Sequence, residues 1–540
     1  MYIAIVPNRN SPPAILLRES YREGRTVKTR TLANLTSWPA VRVDALKRCL
    51  RGDFDGTEDP GAPVSDRIFG VLFALKEMAH RLGIGAALGQ TRLGKLALFL
   101  VLARVAHQGS RLSAVRWAAD HAVAEVLGLA AFDEDDLYKA LEWLATQQET
   151  IEKTLYRAYV RRAGQPPVLV LYDVTSSYFE GEQNELAEYG YNRDGKHGKK
   201  QIVMGLLTAP DGEPLAVTVF KGNTTDPTTV AAQIEIVKTR FKIAEVVFVG
   251  DRGMVKAKGK ATLTQEGLRY ITALTDPQIR KLLKQDVLQL NLFDETAQEV
   301  EQGSRRLILR RNEAVRHKEA RRRQAKLAKL HRLVAERNAF VQQAKRATPE
   351  AGLRKLTQWA QTHKLTAFLT LTLQDTQLTL ELDEAKQADA ALLDGCYVLE
   401  TDVGKDLMDA PTVDARYRDL QHVERDFRTM KTSLLEMRPI FVRKATRTRG
   451  HVFAAMLALK VAREGARGLK AAFGTTEHSA QALTLKDALG ALSRLCFQRH
   501  EMAGQEFLQV PRPDRRQTAI LTALGVKPPA TTMQQHPASV

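Results

Sequence analysis

Cysteine is scarce in this chain. Cys49, Cys396 and Cys496 are its three cysteines in 540 residues, far apart and without metal-ligand spacing. That excludes a disulfide scaffold or a zinc finger and fits a reducing compartment. Long apolar runs are missing too. The most apolar stretch, Leu96 to Ala106, follows Lys95 and contains Arg104, so it reads as a buried helix rather than a bilayer span. The opening Met1-Tyr2-Ile3-Ala4-Ile5-Val6 lacks the basic start and long apolar core of a signal peptide. These absences together predict a cytoplasmic chain with no membrane partner. Acid is in deficit as well: 62 Asp and Glu face 80 Lys and Arg, a net charge of +18. Such a balance favours a polyanionic partner such as nucleic acid, with a basic surface of no particular partner as the plain alternative.

A chain of 540 residues exceeds a single core, and its composition changes along its length. Residues 1–60 read as a small basic β-rich region, with Thr26 to Thr31 alternating cations and β-branched residues so that Lys28 and Arg30 share one strand face. Residues 61–163 turn helical. Ser110 to Leu127 sets Leu112, Val115, Ala119, Ala122, Val123 and Val126 on one side, and acids at Asp133 to Asp136 suit the start of a longer helix. Helices joined near Gly109 and Gly128 are compatible with a helix-turn-helix reader, so this region is expected to bind DNA. Residues 164–275 read as an α/β layer: three strands in hairpin order up to Phe220, an N-cap at Asp226 before Pro227, a helix, then strands ending at Asp251 and spanning Leu268 to Leu274. Residues 276–394 form a differently composed insertion. Within it Arg305 to Arg346 is strongly basic, with Leu327, Leu330, Val334 and Val341 as an apolar stripe; it is either a solvated helical hairpin or a DNA-facing one. Residues 395–467 return to the core through Cys396 to Thr401. Residues 468–540 read as helical, with a disordered tail from Pro528.

Three acids stand out. Asp173 closes the apolar run Val168 to Tyr172, Asp251 closes Val246 to Gly250, and Glu424 lies in a charged helical segment, Tyr417 to Lys431. A carboxylate at the end of a buried strand is costly unless it binds something, and two strand ends plus a helical glutamate can converge on a pair of divalent cations. Each acid taken alone also reads as a turn residue or, for Glu424, as an ion-pair partner of Arg428. Steps of three and four residues align Tyr417, Gln421, Glu424, Arg428 and Lys431 near one helix face, so a phenol and two cations flank the carboxylate and suit phosphate contacts. Arg443, Lys444 and Arg447 follow that helix, with Arg449 beyond them, and can track a phosphate backbone.

In its motifs the chain resembles a DDE transposase of bacterial insertion sequences, the cut-and-paste class with a Y-R-E-K signature. Tyr172-Asp173-Val174-Thr175-Ser176-Ser177 is similar to the first aspartate strand of that family. Gly190-Tyr191-Asn192-Arg193-Asp194-Gly195 with Lys200-Gln201, Gly222-Asn223-Thr224-Thr225-Asp226, and Val249-Gly250-Asp251-Arg252-Gly253-Met254 are similar to its following blocks. Tyr417, Glu424 and Lys431 fall at the signature spacing, and Leu420 departs from it where the family has arginine. The resemblance covers about Val168 to Val461. It implies an RNase-H-like mixed-sheet core interrupted by a large insertion, with a β-plus-helical N-terminal region and a helical C-terminal tail. It implies Asp173, Asp251 and Glu424 as catalytic metal ligands for two Mg²⁺ ions, with Mn²⁺ accepted. It further implies cutting at terminal inverted repeats, joining of 3′ ends to target DNA, a homodimeric synaptic complex, and action at the bacterial nucleoid. Two rival readings share these residues: a metal-dependent nuclease that does not join, and a non-catalytic DNA-binding descendant of a transposase.

Overall fold

A computed structural model describes the chain apart from residues 9–11, 52–63, 253, 345–347, 433, 439, 475–481, 503–504, 531–532 and 536–540. Leu169, Val170, Leu171 and Tyr172 are all buried, the pattern of a central strand covered on both faces. They open strand β1, Leu169–Tyr178. Two antiparallel neighbours follow, β2 (Gln201–Thr208) and β3 (Pro214–Lys221). Strand β4 (Val247–Gly250) then pairs parallel to β1, and β5 (Arg269–Ala273) parallel to β4. Three further strands, β6 (Gln298–Gln302), β7 (Arg305–Arg311) and β8 (Cys396–Thr401), extend the sheet through antiparallel pairing of β8 with β5. The resulting eight-stranded mixed sheet runs β6-β7-β8-β5-β4-β1-β2-β3.

Strand alternation divides the core. Leu169, Leu171, Val247 and Val249 face the larger apolar cluster, while Val170, Tyr172, Val246 and Phe248 face a second one. The larger cluster is filled by helices α1 (Arg92–Ala106), α2 (Glu134–Ala163) and, late in the chain, Ala445–Phe473. The second is covered by α3 (Asp226–Glu235). The chain leaves the sheet after β7 into the 31-residue helix α4 (Glu313–Gln343) and returns at β8. Beyond β8 come α5 (Ala410–Arg418), α6 (Leu420–Lys431) and the long helix already met, α7 (Ala445–Phe473). Helices α7 and α2 cross closely because Gly450 sits against the Leu141 carbonyl oxygen, which a Cβ would strike.

Several expected elements differ from those observed. Asp173 lies inside β1 rather than at its end, because antiparallel pairing with β2 carries the strand on to Tyr178. Thr225, not Asp226, precedes α3, which leaves Asp226 and Pro227 in its first turn. Ser110 to Leu127 divides into helices Arg111–Ala119 and Val123–Leu127, and Leu112 is 44% exposed rather than in the apolar row. Arg305 to Arg311 is strand and not helix: Leu307, Ile308 and Leu309 are buried between its charged ends. In α4 the expected stripe packs, with Leu330 and Val334 set against Leu356 and Ala360 of helix Pro349–Thr362 and the hairpin Leu369–Gln374 and Gln377–Leu382. The C-terminal region is not all helix. Strands Cys496–Met502 and Gln505–Gln509 pair there, and the first also pairs with Val64–Ile68 from far upstream. Of the expected disordered tail, Met533–Gln535 forms a strand, and residues 531–532 and 536–540 lie outside the described residues.

Candidate active site

Register brings the two aspartates side by side. The last parallel pair between β1 and β4 is Tyr172 with Gly250, so Asp173 and Asp251 each come one residue past it. Neighbouring strands stand about 4.8 Å apart, and Asp173 has the same parity as Leu169 and Leu171, whose side chains face the larger cluster. Helix α6 lies on that same side against β1. It does so because Leu420, Val423, Phe427 and Met430 recur at steps of three and four and are all buried, which leaves Glu424 and Arg428 exposed.

Electrostatics tie the three acids together. Burial, then the Asp251 and Glu424 charges, push the Asp173 carboxyl up from its ordinary value to about 7. Its Oδ1 accepts the Val174 backbone N–H at 2.7 Å. No Asp173, Asp251 or Glu424 salt bridge to a cation occurs among the described residues, which departs from the plain expectation of a Glu424–Arg428 pair. Tyr417 donates its hydroxyl to Asp251 Oδ1 at 3.1 Å, and burial, followed by the Asp251 charge, raises its own pKa. Among the described residues, no three His, Cys, Asp or Glu side chains stand close enough to hold one ion. The acids are near enough to repel one another without being drawn to a common point.

The single helix expected from Tyr417 to Lys431 is two helices. Asp419 is the break: the His422 N–H reaches back only three residues to the Asp419 carbonyl, at 2.9 Å. Tyr417 therefore projects from α5 and Glu424 from α6. Leu420, the departure from the signature, is 7% exposed and packs into the core. Lys431 turns inward: its Nζ lies 3.0 Å from Asp194 Oδ1, to which Arg438 Nη1 also donates at 2.7 Å. Asp194 Oδ2 accepts the Tyr178 N–H at 3.2 Å, so one acid links the end of β1 to the end of α6. Beside it, Arg193 pairs with Asp226 at 2.5 Å, and its N–H donates to Ser176 Oγ. Lys444 and Arg447 both pair with Glu142 on α2, while Arg428 and Arg443 are exposed. Asp194 and Arg438 were not singled out as site residues from sequence; the motif around Asp194 was the available signal, and Arg438 had none. A cleft of about 410 Å³ is lined by Arg252, Arg280, Tyr397, Arg418 and Tyr417, the residue that donates to Asp251.

The transposase DDE domain family matches residues 164–460, and the IS1634 family transposase N-terminal domain matches residues 3–63. The chain belongs to the DDE transposases of insertion sequences. Its transposase domain thus runs from the approach to β1 through α6 and into α7. No curated protein matches the sequence. A solved structure of piggyBac transposase, a synaptic complex with hairpin DNA, is similar over 72% of this chain and 71% of its own, at 11% identity and a TM-score of 0.33. In this transposase no helix among the described residues is long and apolar enough to cross a membrane.

Proposed function

We propose that this transposase cuts DNA at the terminal inverted repeats of its insertion sequence and joins the freed 3′ ends to target DNA, with Asp173, Asp251 and Glu424 as its catalytic carboxylates. The observation that supports this most directly is the shared register of Asp173 and Asp251 at the end of one parallel ladder, beside the helix that carries Glu424. In this reading β1 to β5 are an RNase-H-like core, whose order β3-β2-β1-β4-β5 fits one, and residues 276–394 are its insertion, of which β6 and β7 extend the sheet.

The donor set suits hard divalent cations, Mg²⁺ or Mn²⁺. An acid held near 7 by burial and by two neighbouring acids, despite the Val174 N–H and the Arg193 charge, is stabilised further in its charged form by a bound cation. Two such ions, when bound, supply activation of the attacking hydroxyl and stabilisation of the leaving oxygen in an in-line displacement. The chain's own residues do the rest. Tyr417 holds Asp251 through its hydrogen bond. Asp194 clamps Lys431 and Arg438, and so fixes the end of α6 against β1. Leu420, buried, anchors the start of α6; Arg428, exposed two turns further on, takes the phosphate contact that the signature arginine would make. Arg443, with Lys444 and Arg447 when released from Glu142, follows the DNA backbone, and two copies of the chain hold the two ends in a synaptic complex at the bacterial nucleoid.

The test is a cleavage and joining assay on DNA carrying the element's own ends. Mg²⁺-dependent nicking followed by transfer of a pre-cut 3′ end is the expected result. Nicking without transfer would leave a nuclease, and binding without nicking a DNA-binding protein.

A further inference from the structure

The N-terminal sheet separates its charges by face. Strands Tyr2–Val6, Ala14–Glu23 and Thr26–Asn34 form a three-stranded antiparallel sheet whose principal neighbour is helix Ala40–Arg51. Residues 1–51 carry ten Lys and Arg against three Asp and Glu. Directly opposite residues of an antiparallel pair share a face. Glu19 stands opposite Arg30 and Tyr21 opposite Lys28, so one face holds both of the sheet's acids. There Arg30 pairs with Glu19 at 2.6 Å and Lys28 with Glu23, so the Lys28 and Arg30 face is already neutralised. The other face alternates with it: Arg18 opposite Thr31, Ser20 opposite Thr29, Arg22 opposite Val27. No acid occupies this second face. Neither Arg18 nor Arg22 has an ion pair among the described residues, and Arg18 Nε is buried without a hydrogen-bond acceptor. Ser20, Arg22, Thr29 and Thr31 are exposed.

We propose that this acid-free face is a docking surface for the phosphate backbone of double-stranded DNA, an inference that rests on the reading of the chain as a DNA transposase. Two guanidinium groups with hydroxyl donors between them match phosphate oxygens. Four strand residues separate Arg18 from Arg22 by about 13 Å, close to the roughly 12 Å width of a B-form major groove with phosphates on each side. A contact to the phosphates on either side of the groove is independent of DNA sequence and adds to whatever the helical regions bind. An anionic lipid surface fits less well, because apart from Val27 and from Tyr2 opposite Arg18 this part of the face offers no apolar side chain to insert.

The experiment measures how binding of the full chain to a random-sequence duplex falls with salt. Each phosphate contact contributes about 0.9 to the slope of log K against log salt, so Arg18→Gln with Arg22→Gln lowers the slope by about 1.8. Lys28→Gln with Arg30→Gln leaves it within about 0.5, because those cations are already paired. Arg22→Gln alone, at an exposed site that cannot disturb packing, lowers it by about 0.9 and covers the case in which the double variant misfolds. An unchanged slope in the Arg22 variant overturns the inference, as does an equal loss from both double variants. Loss of binding to phosphatidylserine vesicles with DNA binding intact also overturns it, in favour of a membrane. A wild-type chain that binds no DNA overturns the proposed function itself, which sets the two failures apart.

Discussion

Two kinds of enclosed carboxylate serve the same sheet. Glu213, at the start of β3, lies against Lys460 Nζ and within 2.7 Å of Arg162 Nη2. Burial pushes its pKa up, but Lys460 and Arg162 outweigh that and hold the carboxyl below its ordinary range. Asp414 likewise meets Arg310 and Arg418, and Glu400 meets Lys260 and Arg305. Asp173 is enclosed to a similar degree, yet burial and the acids Asp251 and Glu424 outweigh the Arg193 charge, and its pKa moves the opposite way, to about 7. The paired acids tie layers together; the unpaired one stores repulsion that only a cation relieves. Between Glu213 and Asp173, the charge of the neighbours separates a structural carboxylate from a catalytic candidate.

The sharpest way to break that contrast is to neutralise each class. Asp173→Asn, Asp251→Asn and Glu424→Gln are each expected to slow end cleavage by at least about a hundredfold, the lower end of the scale for losing one preorganised electrostatic group. Binding to element-end DNA stays nearly unchanged, as read by gel shift, and Tm holds or rises. Wild-type cleavage in any one of them removes that residue from the site. Lys460→Met does the reverse: it strands Glu213 in a largely buried position and costs about 3 kcal/mol in denaturant unfolding, the usual penalty for breaking a buried pair. A loss under about 1 kcal/mol would mean Arg162 alone suffices.

Asp194→Asn tests a positioning acid between the two classes. Releasing Lys431 and Arg438 is expected to lower kcat about tenfold with KM for DNA little changed, as befits a charge-assisted contact that orients α6. A rise in KM alone would assign Lys431 to DNA binding instead. The smallest effect concerns pH. In the metal-free protein Asp173 keeps its proton up to about 7, whereas the unfolded chain releases it near the ordinary 3.8, so this group's contribution to stability declines as pH rises between those values. Divalent metal must displace that proton below 7 and need not above it. The gain in Tm on adding Mg²⁺ should therefore be a few degrees larger at pH 8 than at pH 6, and Asp173→Asn should erase the difference. An equal gain at both pH values would detach the metal from Asp173.

Much of this was legible in the chain. Continuous apolar runs at Leu169 to Tyr172 and Val246 to Val249 announce buried strands, because only strands covered on both faces lack a polar alternation. The steps of three and four in Leu420, Val423, Phe427 and Met430 announce α6 in the same way. Illegible were the features that depend on partners distant in sequence. Arg305 to Arg311 looks like part of a basic helix until β8 pairs with it, and Cys496–Met502 becomes a strand beside Val64–Ile68. Pairing across such distances leaves no periodic mark in either segment. Lys431 has the composition of a phosphate ligand, and its turn towards Asp194 is set by the loop that carries that acid.

By itself the sequence determined which side chains have the chemistry: three acids, their order, the parity that sends Asp173 to the same face as Leu171, and the surplus of cations. Parity and helical period are local properties of the backbone, so they survive without knowledge of the fold. Tertiary structure alone decided which acids go unpaired. Glu213 and Asp173 both sit among buried strands, and only the arrival of Lys460 from α7 at one, and of Asp251 and Glu424 at the other, turns two similar carboxylates into opposites. A charge's energy depends on what surrounds it in space, and Lys460, Asp251 and Glu424 each come to these acids from more than 70 residues away in the chain.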